Sequence, residues 1–268
     1  MRLGIEGGQA GVATHQEDHG DGARAQGWDG LAAEAGESTG WAKTGAVVSG
    51  ALPAPRFTPS EQRLIARLRT PEQVQAWLLR MPYNWERAGE TNRTLRGVLR
   101  HKKAHCLEAA LCAAAILEQH GFPPLLMDLE SVDLLDHVIY VFQRGGKWGS
   151  IARSRCAGLH GRKPVFASLA ALADSYRAPF IDTTGRMKGF GVLDLRTLKG
   201  NPWRTSTRNV PSISDALNAN RHTPSPTPEP EFRTWKVRFD AWWEANGRPA
   251  HDWPVFEDYP RRETWLWP

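Results

Sequence analysis

Residues 105–152 read HCLEAALCAAAILEQHGFPPLLMDLESVDLLDHVIYVFQRGGKWGSIA, and the fold turns on this stretch. From Leu107 to His120 alanine and leucine dominate and Gly121 follows as a stop, which predicts a helix. That helix is apolar nearly all round, so it is expected to be central and buried. Pro123 and Pro124 separate it from an apolar run, Leu125–Leu129. His137–Phe142 (HVIYVF) is β-branched and aromatic, as strands are. Arg144-Gly145-Gly146-Lys147 is a tight-turn signal, after which Trp148–Ala152 returns as a hairpin partner. A buried helix followed by a hairpin predicts an α+β domain, with the helix packed on an antiparallel sheet of about three to five strands.

Working outward, Thr58-Pro59-Ser60-Glu61 is a capping box ahead of Leu64, Ile65 and Leu68, and Thr70-Pro71-Glu72-Gln73 repeats the signal ahead of Val74, Trp77 and Leu78. Two short helices are expected there. Downstream, Val165–Tyr176 reads as a helix, Phe190–Leu195 as a strand and Ser212–Ala219 as a short helix. Residues 222–230 (HTPSPTPEP) read as a proline-rich linker. Phe232, Trp235, Phe239 and Trp242/Trp243 then recur at helical spacing up to Gly247, a stripe expected to dock on the main domain.

The chain has 268 residues, 41% apolar and 24% charged, which is enough for a core and rules out wholesale disorder. No apolar run is long enough for a spanning helix, and residues 1–9 lack a secretory signal pattern, so a cytoplasmic protein without membrane association is expected. The net charge of +5 is unevenly placed. Residues 1–55 hold 3 Lys/Arg, 7 Asp/Glu and 12 of the 25 glycines, and are expected to be a disordered segment. Residues 56–220 carry 24 Lys/Arg against 14 Asp/Glu and form the expected domain. Residues 221–268 carry 7 against 8 and form the linker and a tryptophan-rich extension. The positive charge therefore belongs to the folded middle. No zinc-finger, RNA-recognition or helix-turn-helix pattern accompanies it, so nucleic acid is not the expected partner. The three cysteines, Cys106, Cys112 and Cys156, suggest neither a disulfide framework nor a zinc site, and no metal or cofactor is expected.

Their contexts differ. Cys106 opens the predicted helix and follows Arg100, His101, Lys102, Lys103 and His105. A helix N-terminus and nearby cations both favour thiolate, making Cys106 the candidate nucleophile, with an inert half-buried thiol as the alternative. Cys112 sits inside the alanine-rich helix and reads as packing. A thiol nucleophile needs a base, and His137, heading the VIYVF strand, is the best placed. His101, His105, His120 and His160 fall in turns, helix ends or a basic loop. Asp136 is expected to cap a turn, and Asp128 and Asp194 to pair with arginines.

Cys106-Leu-Glu-Ala-Ala at a helix start, then HGFPPLLMDL, then Asp136-His137-Val-Ile-Tyr-Val-Phe and Gly145-Gly-Lys-Trp148, resembles the transglutaminase-like superfamily over roughly residues 80–155. More loosely, it resembles bacterial members of that superfamily of unassigned function, as far as Arg208. The resemblance implies a papain-like arrangement in which Cys106 is nucleophile, His137 is base and a third residue orients the imidazole. The superfamily's aspartate falls at Ala152 here, so Ser150, Ser154 or a backbone carbonyl is left to fill that role. The Cys106 N–H would stabilise an oxyanion, with a second donor from Tyr83, Asn84 or Trp85; Asn84 is the candidate. The implied activity is acyl transfer or hydrolysis on a protein, peptide or small amide or ester. The alternative is a binding module that keeps the fold with a degraded site.

Overall fold

The computed structural model describes residues 55–247 together with Phe256, Tyr259, Arg262 and Trp267. The glycine-rich N-terminal segment, apart from Pro55, lies outside them, as does most of the chain after Gly247. The described residues belong to one compact unit.

Both capping boxes form. Thr58 caps α1 (Pro59–Arg67) with Glu61 returning the bond, and Thr70 caps α2 (Pro71–Leu79) with Gln73 doing the same. A short helix α3 (Leu95–His101) leads to α4 (Cys106–Leu117), in which every residue from Leu107 to Leu117 is buried. A single 3-10 turn carries α4 to Gly121, whose φ of 85° ends it. The hairpin follows as β1 (Leu125–Ser131), β2 (His137–Arg144) and β3 (Lys147–Ile151). Gly145 and Gly146 both take positive φ at the β2–β3 turn, the conformation a two-residue hairpin of this twist requires.

The remaining elements are β4 (Arg162–Phe166), α5 (Leu169–Asp174), α6 (Arg177–Phe180), β5 (Met187–Asp194), α7 (Ser212–Asn218), β6 (Thr223–Pro224) and α8 (Glu229–Asn246). The sheet is six-stranded and antiparallel throughout, in the order β4-β3-β2-β1-β5-β6. The three to five strands expected are exceeded because β4 and β6 add at the edges. Both arise from segments read otherwise in the sequence. Val165 and Phe166 belong to β4 rather than to a helix, since Ser168 caps α5 three residues later and leaves the preceding residues free to pair with β3. The proline-rich segment is likewise no free linker. Thr223 and Pro224 pair with β5, and Ser225 and Thr227 donate backbone bonds to Lys188 and Met187.

The sheet is covered on both faces, which is why β1 and β2 read as continuous apolar runs rather than alternating ones. Leu126, Val138, Tyr140 and Phe142 pack under α4 with α1–α3 and α7. Leu125, Met127, Ile139 and Val141 pack on the other face with Leu172, Ala173, Tyr176 and Phe180 from α5 and α6. On α8, Trp235 and Phe239 are buried, and Trp235 shares a small cluster with Ala178, Ile181 and Tyr259, the docking expected of the tryptophan stripe. No helix among the described residues is long and apolar enough to cross a membrane.

Candidate active site

α4 starts under the end of β2 where His137 stands. The segment before it is clamped to residues 82–84: Asn84 N–H donates to the Ala104 carbonyl (3.1 Å) and Ala104 N–H to the Pro82 carbonyl (3.3 Å). A buried carboxylate completes this corner. Glu108, fully buried one turn into α4, accepts from the His105 N–H (3.1 Å), the Asn84 amide (3.0 Å), the Thr91 hydroxyl (2.8 Å) and the Arg93 N–H (3.3 Å). Four donors from two separate segments converge on one side chain, so the loop 82–93 and the start of α4 hold each other in register.

Cys106 is half-buried at the first helical position, where its N–H has no carbonyl one turn earlier to meet. His105 Nδ1 lies 3.9 Å from its sulfur. The other ring nitrogen, Nε2, is 2.7 Å from the Thr91 carbonyl and 3.5 Å from Glu86. Burial opposes a charge on His105, but the Cys106 sulfur, Glu108 and the Thr91 carbonyl outweigh it and raise the imidazole to about 9. His137 lines the same cleft and acts on the same sulfur. Burial alone would raise the Cys106 thiol; hydrogen bonding from His105 and His137, and then their charge, override it and hold the thiol well below its ordinary range. His105, passed over in the sequence with the other turn, helix-end and basic-loop histidines, thus belongs to the site. The available signal was its place as the residue before a helix-opening cysteine, three positions ahead of Glu108.

His137 is buried, and its Nε2 donates to the Leu159 carbonyl at 2.9 Å, which leaves Nδ1 as the nitrogen with a free lone pair. A backbone carbonyl therefore holds the imidazole, one of the options left open beside Ser150 and Ser154. Ser150 does not. The ladder pairs Ser150 with Val141, four residues along β2 from His137 and so about 13 Å away. Its hydroxyl instead bonds Tyr176 (2.7 Å) and accepts from the Arg162 N–H (2.9 Å). Ser154 accepts from the Cys156 N–H (3.1 Å). Ala152 is fully buried among apolar neighbours.

The loop that presents the Leu159 carbonyl is pinned from within. Arg162 is fully buried and donates to the His160 carbonyl (2.6 Å) and the Gly158 carbonyl (2.7 Å), either side of Leu159. Its guanidinium also lies over the Tyr176 ring at 3.9 Å. Burial lowers Arg162 to about 10, which still leaves it charged at neutral pH.

Asn84 lines the cleft, but both hydrogens of its amide are committed to Thr91 (2.8 Å) and Glu108 (3.0 Å), so its side chain is a brace and not an oxyanion donor. Tyr83 is better suited. It lines the same cleft, and burial and then the charge of Cys106 raise its pKa, so its hydroxyl stays protonated. The cleft itself is about 290 Å³, with His105, Cys106, Asp136, His137, Leu159 and Cys156 among its walls.

The other singled-out residues have structural partners. Asp136 accepts from the Ser131 N–H (2.7 Å) and closes the β1–β2 loop, as a turn cap does. Asp194 pairs with Arg196 (2.5 Å), but Asp128 pairs with His222 (3.1 Å) rather than an arginine, and burial raises it to about 6. Burial pushes Cys156 up to about 11 and Cys112 well above the ordinary thiol range, so neither shares the reactivity of Cys106. Among the described residues no three His, Cys, Asp or Glu side chains gather as a metal site. No protein-family model and no curated protein matches the chain.

Proposed function

We propose that the protein is a cysteine-dependent acyltransferase or hydrolase of the transglutaminase-like, papain-like kind. The observation that carries the proposal is a thiol at a helix start, held low between two imidazoles, with the one on β2 tethered through Nε2. His105, fixed as a cation by the Thr91 carbonyl and Glu108, keeps the sulfur ionised. His137 holds at Nδ1 the proton that the thiol has given up. The sulfur attacks the carbonyl carbon of a carboxamide or ester, forming an S–C bond and placing the negative charge on oxygen. The Cys106 N–H, with the Tyr83 hydroxyl as second donor, is assigned to stabilise that charge. His137 returns its proton to the departing nitrogen or oxygen as the C–N or C–O bond breaks, leaving a thioester. Water or an amine, deprotonated by His137, then attacks the thioester and releases the thiolate.

The second reading, a binding module with a degraded site, draws on Ala152, where no carboxylate backs the imidazole. One experiment separates the two. Incubation with small activated acyl esters, followed by intact-protein mass spectrometry, is expected to show a mass increase equal to one acyl group, absent from Cys106→Ala. An unmodified wild-type protein under conditions where free cysteine is acylated favours the binding module.

A further inference from the structure

Beside the thiol cleft lies a second, larger cavity of about 810 Å³, within the range of ligand sites (~300–1,000 Å³). The two adjoin, since Tyr83, Asn84, Trp85, Glu86 and Arg155 line both. The larger cavity is cationic: Arg87, Arg93, Lys103, Arg153 and Arg155 face it, against Glu86 and Glu90. Two of these cations have charge to spare. Lys103, half-buried and three residues before Cys106, makes no ion pair or hydrogen bond among the described residues. Arg87, exposed, likewise makes none, whereas Arg93 is paired with Glu108 at 3.6 Å. A concave surface with low-dielectric walls and unspent positive charge attracts anions more strongly than the same charges on a convex face.

We propose that this cavity binds a carboxylate-bearing peptide segment, so that the acyl donor delivered to Cys106 is an acidic peptide or protein. This rests on the catalytic reading of Cys106. A peptide suits the site better than a nucleic acid for two reasons. It supplies the acyl carbon that a thiolate attacks, which a nucleic acid does not. The cavity also interleaves carboxylates and the aromatic edges of Tyr83 and Trp85 with its cations, which matches spaced side-chain charges better than a continuous phosphate backbone.

The test uses full-length Cys106→Ala protein and two fluorescein-labelled short peptides, one carrying glutamates and the other glutamines at the same positions. By anisotropy at low salt the glutamate peptide is expected to bind about tenfold tighter. The preference is expected to shrink with added salt and to fall below about threefold in Arg87→Gln/Lys103→Gln. Equal binding of the two peptides overturns the proposal, as does tighter, competing binding of an oligouridylate. Acyl capture by the wild type is scored separately. Selective peptide binding without capture keeps the cavity's assignment and removes the catalytic one; capture without selectivity does the reverse.

Discussion

Replacing His137 with alanine is expected to lower acyl transfer by about 10²–10⁴-fold, the usual contribution of a positioned acid–base group. The same substitution is expected to slow alkylation by iodoacetamide much less. Alkylation needs only a thiolate, and His105 remains 3.9 Å from the sulfur to stabilise one. His105→Phe should show the opposite pattern, with neutral-pH alkylation falling because the fixed cation is lost. Stopped-flow alkylation and acyl-ester turnover on the two variants would measure both effects. Equal loss in both assays for His137→Ala would mean that His137 serves only to hold the thiolate.

Glu108→Ala is expected to be the most destabilising single substitution near the site. The carboxylate is fully buried and serves donors from Asn84, Thr91, Arg93 and His105. Removing it strands these donors and leaves the Arg93 guanidinium without its carboxylate at 3.6 Å. Breaking a buried charged pair costs about 3–5 kcal/mol. For a domain of this size, that lowers the melting temperature by roughly 6–20 °C. Glu108→Gln keeps an acceptor and should fall between. Thermal unfolding followed by circular dichroism measures the effect, and a loss under about 1 kcal/mol would show that the corner is held by other contacts.

Local rules made much of the molecule readable in advance. Thr58 and Thr70 announce their helices through bonds that close within three residues, and Gly145-Gly146 announces its turn through a conformation few other residues adopt. The edge strands were hidden for the opposite reason. Residues 162–166 and 223–224 become strands only because β3 and β5 offer open edges, and nothing local demands it. In the site, Cys106 and His137 were visible as a helix start and a strand head. The Leu159 carbonyl was not, because a backbone acceptor leaves no mark on residue type and depends on Arg162 pinning a loop twenty-two residues from His137. Asn84 was misassigned because its amide is spent on Thr91 and on Glu108, a partner twenty-four residues away that no local pattern links to it.

The pH dependence of Cys106 alkylation tests the central assignment most directly. The folded thiol lies below its ordinary range and His105 is raised to about 9, so both are charged between the two titrations. The alkylation rate per molecule, with the other cysteines subtracted through Cys106→Ala, is therefore expected to be already on a plateau at pH 7. It should fall only on acidification through the depressed thiol pKa, and the inflection should move upward in His105→Phe. As the pH rises through about 9, His105 loses its proton and the attraction that holds the pair ends, without loss of thiolate. A rate that is low at pH 7 and climbs with an inflection near the ordinary thiol value of ~8.5 would contradict a thiolate nucleophile at Cys106.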